Sequence, residues 1–401
     1  MRILHYCQHV LGMGHLFRSL EIARALHRHE VTLVTGGPPV SAALPPHIRH
    51  VQLPPLMMDN GFSGLHTVPC AAGELPPDLR QVQDMRRQML LKTLHETRPH
   101  ILLVELFPFG RRQFSFELVP LLESARSGAY GRMQIVCSVR DILVEKDNQA
   151  RYEERVLSAL NTWFDHVLVH TDPAVVRLEE TFSRLPEVAA DMHDTGYVTP
   201  LPAAHKAARL RRALRLQAQE PLIVASAGSG SVGAGLLQAA ARASHILHRT
   251  VPHRLLVFTG PFMPPEHTAS LRQAAAGAAH IRIRTFTRQF PAYLALAGLS
   301  VSLAGYNTTM NLLAARTSAL VLPFDSNREQ RMRSRRLERL GALRILQPDD
   351  LEPHKLAELM QAALARRPQK TGINLDGART SARILESAAR HASGSRTENS
   401  P

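Results

Sequence analysis

The sequence predicts an α/β fold of two doubly wound halves, and three observations carry that expectation. Short apolar runs alternate with amphipathic stretches of helical length along nearly the whole chain, the pattern of strand–helix–strand units around a parallel sheet. The alternation lapses once, near residue 200, and then restarts. Each half also opens the same way, with an apolar run, a glycine-bearing turn and a helix: "RILHYCQHVLGMGHLFRS" in the first and "PLIVASAGSGSVGAGLL" in the second. At 401 residues the chain exceeds what one hydrophobic core ordinarily serves, which agrees with two domains.

In the first half, "RILHYC" reads as a strand, "LFRSLEIARALHRH" as a helix and "EVTLVTGG" as a strand stopped by Gly36, Gly37 and two prolines. Residues 38–77 are rich in Pro and Gly and read as irregular, apart from a short strand at "IRHVQL". A helix follows over 78–97, then the strand "HILLVEL", a helix over 114–127, the strand "MQIVCSV", a helix over 149–162, the strand "HVLVHT" and a helix from 174. The proline-bearing, basic stretch near 200 is the linker candidate. Beyond it come "LIVASA", a helix over 233–248, "RLLVFTG", a helix over 265–277, "HIRIRTF", a short helix over 289–297 and "LSVSLA". A helix over 307–316, "SALVLPF", a helix over 327–340, "ALRILQP" and a helical region over 350–392 complete the half. The expected division is 1–200, a linker at 201–220, a second domain at 221–392 and a polar, disordered tail at 393–401.

Composition narrows the classes. No apolar run approaches the length of a membrane span, and the N-terminus reads as a first strand rather than a signal peptide. Cys7, Cys70 and Cys137 are odd in number and widely spaced, which suits a reducing, cytoplasmic setting and no disulfide framework. The histidines form no HExxH or similar spacing, so no metal site is expected. A net charge of +14 suits anionic partners such as nucleotide phosphates or an acidic membrane face. No nucleic-acid motif or aromatic stacking platform accompanies the charge, so nucleic acid is not an expected partner.

The glycine turns carry the chemistry. Gly12 and Gly14 precede His15 at the first strand-to-helix junction; Gly228, Gly230 and Gly233 form a full GxGxxG at the second. Such turns let a ligand approach the backbone, and the helix behind offers free N–H groups with partial positive charge. A nicotinamide dinucleotide is disfavoured, because it calls for an acidic residue ending the second strand to hold the ribose. Here those strands end "FTGPF" and "VTGGPP", and Phe17 stands where a third glycine belongs in the first turn.

"GMGHLFRSLEIARAL", "ASAGSGSVGAG" and "SLAGYNTTMNLLAARTSALVLPFDSNREQRMRSRRLERLGALRIL" together resemble GT-B glycosyltransferases. The nearest kind is the N-acetylglucosaminyltransferase family of the lipid-linked peptidoglycan precursor, with its family 28 C-terminal-like domain. The resemblance covers most of the chain and is sharpest over 222–346. It implies two Rossmann-like domains facing across a cleft, the acceptor on the first and the sugar nucleotide mainly on the second. It further implies an inverting, metal-independent transfer of a hexose or N-acetylhexosamine, with a UDP-sugar as co-substrate and no other cofactor.

An inverting transfer needs a base for the acceptor hydroxyl and N–H, hydroxyl or cationic groups for the departing diphosphate. The diphosphate candidates are Gly228, Ser229, Gly230 and Ser231, with a second group of Gly305, Asn307, Thr308 and Thr309 at a helix start. Gln330 matches the family glutamine that binds donor-sugar hydroxyls, and Glu329 is its neighbour. Asn311 stands where the family usually has a ribose-binding Glu; a neutral amide is a weaker clamp, which opens GDP or dTDP as carriers. His15 is the leading catalytic candidate, as base or as donor to the leaving group, and Arg18 is an anion contact one turn on. Glu105 and Asp141 follow strands of the first sheet and rank behind His15, with no choice between them and with Arg111 and Arg140 as available partners.

Two other functions compete. "GMGHLFRSL" also resembles the G-x-G-H-x-x-R-x-L loop of sugar-nucleotide hydrolases, so a hydrolase or epimerase on the same fold is the alternative. A basic, non-enzymatic binder of anionic lipid or nucleic acid is the third, and it leaves both glycine turns unexplained. Peripheral contact with an anionic membrane fits either enzyme reading through basic and apolar helix faces.

Overall fold

The computed structural model describes residues 1–10, 14–39, 44–58, 64–68, 77–217, 219–324, 328–366 and 370–394. The chain divides into two compact units: Met1–Val198 with Asp376 onward, and Thr199–Leu375. Gly12, Cys70 and the tail 395–401 lie outside the described residues. Among the described residues no helix is long and apolar enough to cross a membrane. Cys7 and Cys137 are buried free thiols.

The first unit begins with β1 (Arg2–Cys7), α1 (Gly14–Ala25), β2 (Glu30–Thr35) and β3 (Ile48–Gln52). A short antiparallel pair, β4 (Leu56–Met58) and β5 (Leu65–Thr67), leads to α2 (Leu79–Thr97). Then come β6 (Ile101–Glu105), α3 (Ser115–Arg126), β7 (Gln134–Arg140), α4 (Gln149–Trp163), β8 (His166–His170) and β9 (Asp191–Asp194). The seven-stranded sheet is parallel throughout, in the order β3-β2-β1-β6-β7-β8-β9. Alternation along each strand feeds two cores. Leu4, Tyr6, Leu102, Val104, Ile135, Cys137, Val167 and Val169 pack with α2, α3 and α4. Ile3, Cys7, Ile101, Leu103, Val136 and Leu168 pack with Leu16, Leu20 and Ala23 of α1.

The second unit holds α5 (Ala204–Ala213), β10 (Leu222–Ser226), α6 (Ala234–Leu247), β11 (Arg254–Phe258), α7 (Pro265–Ala274), β12 (Ile281–Arg284) and α8 (Phe290–Leu296). It continues with β13 (Leu299–Leu303), α9 (Tyr306–Ala315), β14 (Ser318–Leu322), α10 (Arg328–Arg339), β15 (Arg344–Ile345) and α11 (Pro353–Leu364). Its six-stranded parallel sheet has the order β12-β11-β10-β13-β14-β15. Leu236, Leu237, Ala240 and Leu247 of α6 and Leu356 and Met360 of α11 close over Ile223, Leu255 and Val301 of the strands.

Four features depart from the sequence expectation. Residues from 174 form two short 3-10 turns, not a helix, with Pro173 and Pro186 interrupting the stretch. The polar run "DMHD" pairs as the edge strand β9, which no apolar alternation announces. The segment expected to be irregular carries β4 and β5, and the expected linker 201–220 contains α5, whose Leu210 is buried. Most consequentially, α12 (Gly377–Gly394) does not stay with the second half: Ala382, Leu385 and Ala389 join the first unit's core beside α1. Its entry is tight, since a Cβ on Gly377 would lie 2.3 Å from the Gly196 carbonyl oxygen. His29 Nε2 bonds Glu386 at 2.8 Å on the same helix.

Leu385 is the fully buried member of that stripe. Leu385→Ala is expected to lower stability by about 2–5 kcal/mol, read as a fall in the urea midpoint of the full chain. An unchanged midpoint would mean that α12 contributes no core.

Candidate active site

Each sheet has one topological switch point, where consecutive connections leave in opposite directions and ligands bind beyond the strand ends. In the first unit it lies between β1 and β6, which are hydrogen-bonded neighbours. The chain leaves β1 through Gln8 and His9 and enters α1 at Gly14; Gly12 is outside the described residues. A buried arginine fixes this exit. Arg86 of α2 donates to Gln8 Oε1 at 2.8 Å, to the Gly36 and Pro54 carbonyls at 2.8 and 2.7 Å, and to both oxygens of buried Glu117. Tyr6 donates to the same carboxylate at 2.5 Å, so every oxygen of the buried Glu117 is occupied.

His15, in the first turn of α1, places Nδ1 2.9 Å from Oε1 of Glu105, the last residue of β6. Its side chain keeps 17% of its surface exposed, whereas Glu105 has none. Arg18, one turn along α1 and also buried, donates to the same Oε1. On the other side, Ser138 of β7 donates to Glu105 Oε2 at 2.6 Å and meets His170 Nε2 of β8 at 2.8 Å. His170 Nδ1 then meets Thr195 Oγ1 at 2.9 Å, and Thr195 donates to the Gly196 carbonyl at 2.8 Å. A chain of polar contacts thus runs from His15 across the sheet beneath α1.

Burial alone would raise the Glu105 pKa, but the Arg18 charge and the His15 hydrogen bond hold it well below the usual carboxylate range. Burial pushes His15 down to about 3 against the opposing hydrogen bond to Glu105, with Arg111 and Arg18 adding to the depression. His15 is therefore neutral at pH 7. An ionised carboxylate only accepts, so we assign the proton to Nδ1, which donates to Glu105 and leaves the Nε2 lone pair as the basic site. The Arg18 Nη2 that donates to this carboxylate also stands 3.0 Å from the same Nδ1. Burial also lowers His170 to about 3 and His5 to about 4; neither ring nitrogen of His5 has a hydrogen-bond partner among the described residues.

Asp141, the other acidic candidate, is buried and accepts from the Ile142 N–H at 3.0 Å; the chain from His15 runs through Glu105 instead. Arg111, in the left-handed region at φ 63°, donates to the Gln8 carbonyl at 2.8 Å, and burial lowers its pKa to about 10.

The second unit's switch point lies between β10 and β13. Gly228, Gly230 and Gly233 follow β10 with φ of 65°, 91° and 95°, values that favour glycine. A Cβ on Gly230 would sit 2.4 Å from the Thr259 carbonyl oxygen, so the turn and the end of β11 require its absence. Ser229 and Ser231 point their hydroxyls within 3.3 Å of each other, and the α6 N-terminus behind has no side-chain cap. Gly305 begins α9, again with no side-chain cap, and Asn307 and Thr308 are half-buried. Thr309 is buried, and its Oγ1 has no hydrogen-bond partner among the described residues. Asn311 Oδ1 accepts from Thr199 Oγ1 at 3.0 Å.

On α10, Glu329 is buried and Gln330 Oε1 accepts from the Phe324 N–H at 3.1 Å, which fastens the helix start to the segment after β14. Asn327 is outside the described residues. Arg331, Arg335 and Arg339 are exposed, as helical geometry requires of part of so dense a run, while Arg333 is buried with its guanidinium 5.0 Å above the Tyr306 ring. The sequence reading did not find Ser138, His170, Thr195 or His5. For His5, Ser138 and His170 the signal is a polar residue inside an apolar strand, as in "RILHYC", "IVCSVR" and "HVLVHT"; Thr195 follows the polar run "DMHD" and carries no such signal.

Known proteins share the fold. The two parallel sheets match GT-B glycosyltransferase structures, so the class is that of two-unit α/β proteins with the GT-B fold. Within it, residues 227–383 match the glycosyltransferase family 28 C-terminal domain. Among solved structures, MurG of Acinetobacter baumannii is similar at 14% identity and a TM-score of 0.51, over 98% of this chain and 99% of that one. A UDP-glucosyltransferase from Polygonum tinctorium, in complex with 3,4-dichloroaniline, is similar at 14% identity and 0.54, over 99% and 95%. The UDP-GlcNAc 2-epimerase of Methanocaldococcus jannaschii is similar at 10% identity and 0.60, over 97% and 100%. No curated protein sequence matches the chain.

The depressed Glu105 pKa has a stability consequence. Its contribution is complete above the unfolded value of about 4.3 and is lost as pH falls through the lower folded value. Arg18→Met strips the carboxylate of its cation and is expected to cost about 3–5 kcal/mol at pH 7. Urea midpoints measured from pH 7 downward test this; a variant as stable as the native chain would show that the pair contributes nothing.

Proposed function

We propose that the protein is an inverting glycosyltransferase that moves a hexose or N-acetylhexosamine from a nucleoside-diphosphate sugar to an acceptor hydroxyl. The observation that carries this reading is the contact of His15 with Glu105 at a switch point of a GT-B fold whose second unit matches family 28. His15 Nε2 takes the acceptor hydroxyl proton as the oxygen attacks the anomeric carbon and the bond from that carbon to the diphosphate breaks, releasing the nucleoside diphosphate. Glu105 fixes the tautomer and ring orientation and stabilises the imidazolium as it forms, the part a buried carboxylate plays behind a general-base histidine. Arg18 and Ser138 keep that carboxylate ionised and aimed.

The departing diphosphate falls to the backbone amides of Gly228 to Ser231, the Ser229 and Ser231 hydroxyls and the uncapped starts of α6 and α9, with Gly305, Asn307 and Thr308. Gln330 and Glu329 are assigned to the sugar hydroxyls and Asn311 to the ribose. The similar Polygonum protein is named for UDP, which makes UDP the first carrier to test. The similarity to an epimerase keeps the hydrolase or epimerase reading as the second, since His15 and Arg18 share one carboxylate in a G-x-G-H-x-x-R spacing.

UDP, GDP and dTDP sugars are expected to include at least one that raises the melting temperature by mass action; no shift with any of them would overturn the reading. Rapid hydrolysis of the bound sugar nucleotide without acceptor would favour the second reading. With a productive pair in hand, His15→Ala is expected to lower kcat about 10²–10⁴-fold while the chain still folds, with a lower melting temperature because Glu105 loses one of its partners. Because the His15 pKa is held down to about 3, kcat/KM of the native enzyme should stay flat as pH falls from about 8 to about 6. An acid limb at the ordinary histidine value, absent in no-acceptor controls, would contradict the neutral-base assignment.

A further inference from the structure

Among the described residues, two groups of three potential metal ligands lie away from both switch points. One joins the neighbouring strands β8 and β9 at the ends where they begin. His166, the first residue of β8, is the register partner of Asp191, the first residue of the edge strand β9. His193 lies two positions along β9 and so shares a face with Asp191. His166 Nδ1 stands 3.2 Å from His193 Nε2 and 3.4 Å from Asp191 Oδ2. Ligand atoms around a tetrahedral zinc ion, with bonds of about 2.0–2.2 Å, stand about 3.3–3.6 Å apart. The two distances from His166 match that spacing, and all three ligand atoms lie within 4.8 Å of one another. The rings are tilted by 39° with centroids 5.4 Å apart, so they are not stacked and their nitrogens converge.

The second group, His248, His253 and His280, is less suited. His248 and His280 stack face to face at 3.7 Å and 5°, which aims their in-plane lone pairs along parallel lines. Ser244 Oγ already holds His253 Nε2 at 2.7 Å and His280 Nε2 at 3.2 Å. A metal there requires two rings to turn and a hydroxyl to be displaced.

We propose that His166, Asp191 and His193 form a binding site for a divalent cation of the zinc class, with two nitrogen ligands, one carboxylate and a fourth position open to water. Imidazole and carboxylate together suit such ions better than magnesium or calcium, which favour all-oxygen sets. Entry is from solvent: the Asp191 side chain is 73% exposed and that of His166 14%. On binding, the proton shared between the two imidazoles leaves to solvent and the metal takes its place. The site stands about 13 Å along β8 from His170, so its effect is to tie the edge strand to its neighbour. That strand leads directly into Thr195, which holds His170. The proposal is independent of the glycosyltransferase reading.

The test uses the full chain without a histidine tag, stripped with chelator and titrated with Co2+ while the visible absorption is followed. The expected result is a saturable tetrahedral spectrum at about one equivalent, displaced by Zn2+. His166→Ala and His193→Ala should each abolish it, and Asp191→Asn should weaken binding by more than about tenfold. A His248→Ala/His280→Ala double variant should retain it. Zn2+ should also raise the melting temperature of the native chain and not that of His166→Ala. Circular dichroism of the stripped variants separates ligand loss from misfolding; if either alanine variant is misfolded, the exposed Asp191→Asn decides. No saturable spectrum in the native chain, a spectrum that survives in folded His166→Ala and His193→Ala, or its loss in the His248/His280 variant would each overturn the proposal.

Discussion

A carboxylate buried without solvent is tolerated only if its charge is answered, and the first unit is organised around one such group. Removing the ionised Glu105 from water costs several kcal/mol before any partner is counted. Three side chains from two different sources offset that cost: His15 and Arg18 from one face of α1, and Ser138 from the adjacent strand. The requirement sets the register of α1 over the sheet, because only one turn of the helix brings both residues onto one oxygen. It also fixes the state of the histidine. A carboxylate held ionised demands a donor at Nδ1, and the opposite nitrogen is thereby left basic. The electrostatics that stabilise the core and those that prepare a base are one arrangement.

Under the proposed function, the two units meet a ligand with different means. At the first switch point the polar groups are charged, buried side chains backed by the Arg86–Glu117 clamp that fixes the exit of β1. At the second they are backbone amides, hydroxyls and uncapped helix starts, presented by glycines that the chain cannot replace without strain. The first kind suits moving a proton, and the second suits holding a delocalised negative charge. A glycosyl transfer needs both.

Much of this was legible in the sequence. The alternation of apolar runs and amphipathic segments predicts both parallel sheets, and the fold class follows from it. The glycine turns and His15 stand out because their chemistry is local: glycines with positive φ and a histidine at a helix start are written in adjacent letters. What joins His15 to Glu105 is not local. Ninety residues separate them, and only the pairing of β1 with β6 brings their ends together, so they read as rival candidates instead of partners. Ser138 and His170 were hidden for the opposite reason, as polar residues inside runs whose apolar character dominates. Gln330 shows a third limit: its carbonyl oxygen fastens a backbone N–H, a contact that no motif encodes. The β8–β9 histidines escaped because the relevant spacing is across a sheet, where His166 and Asp191 are register partners although 25 positions apart in sequence.

The C-terminal helix departs furthest from the sequence expectation, since an apolar stripe states that a helix is buried but not against what. Its actual position bears on the order of events during synthesis. The α1 side of the first sheet is laid down early, yet Leu385 and its companions are made only after the whole second unit has been synthesised. Leu16, Leu20 and Ile22 therefore wait for Leu385 through about 360 residues of translation, roughly 20–70 seconds at ordinary elongation rates. The second unit, continuous in sequence, is under no such delay. The half that starts first is the half that finishes last, and its uncovered sheet face is the surface a nascent-chain chaperone would meet.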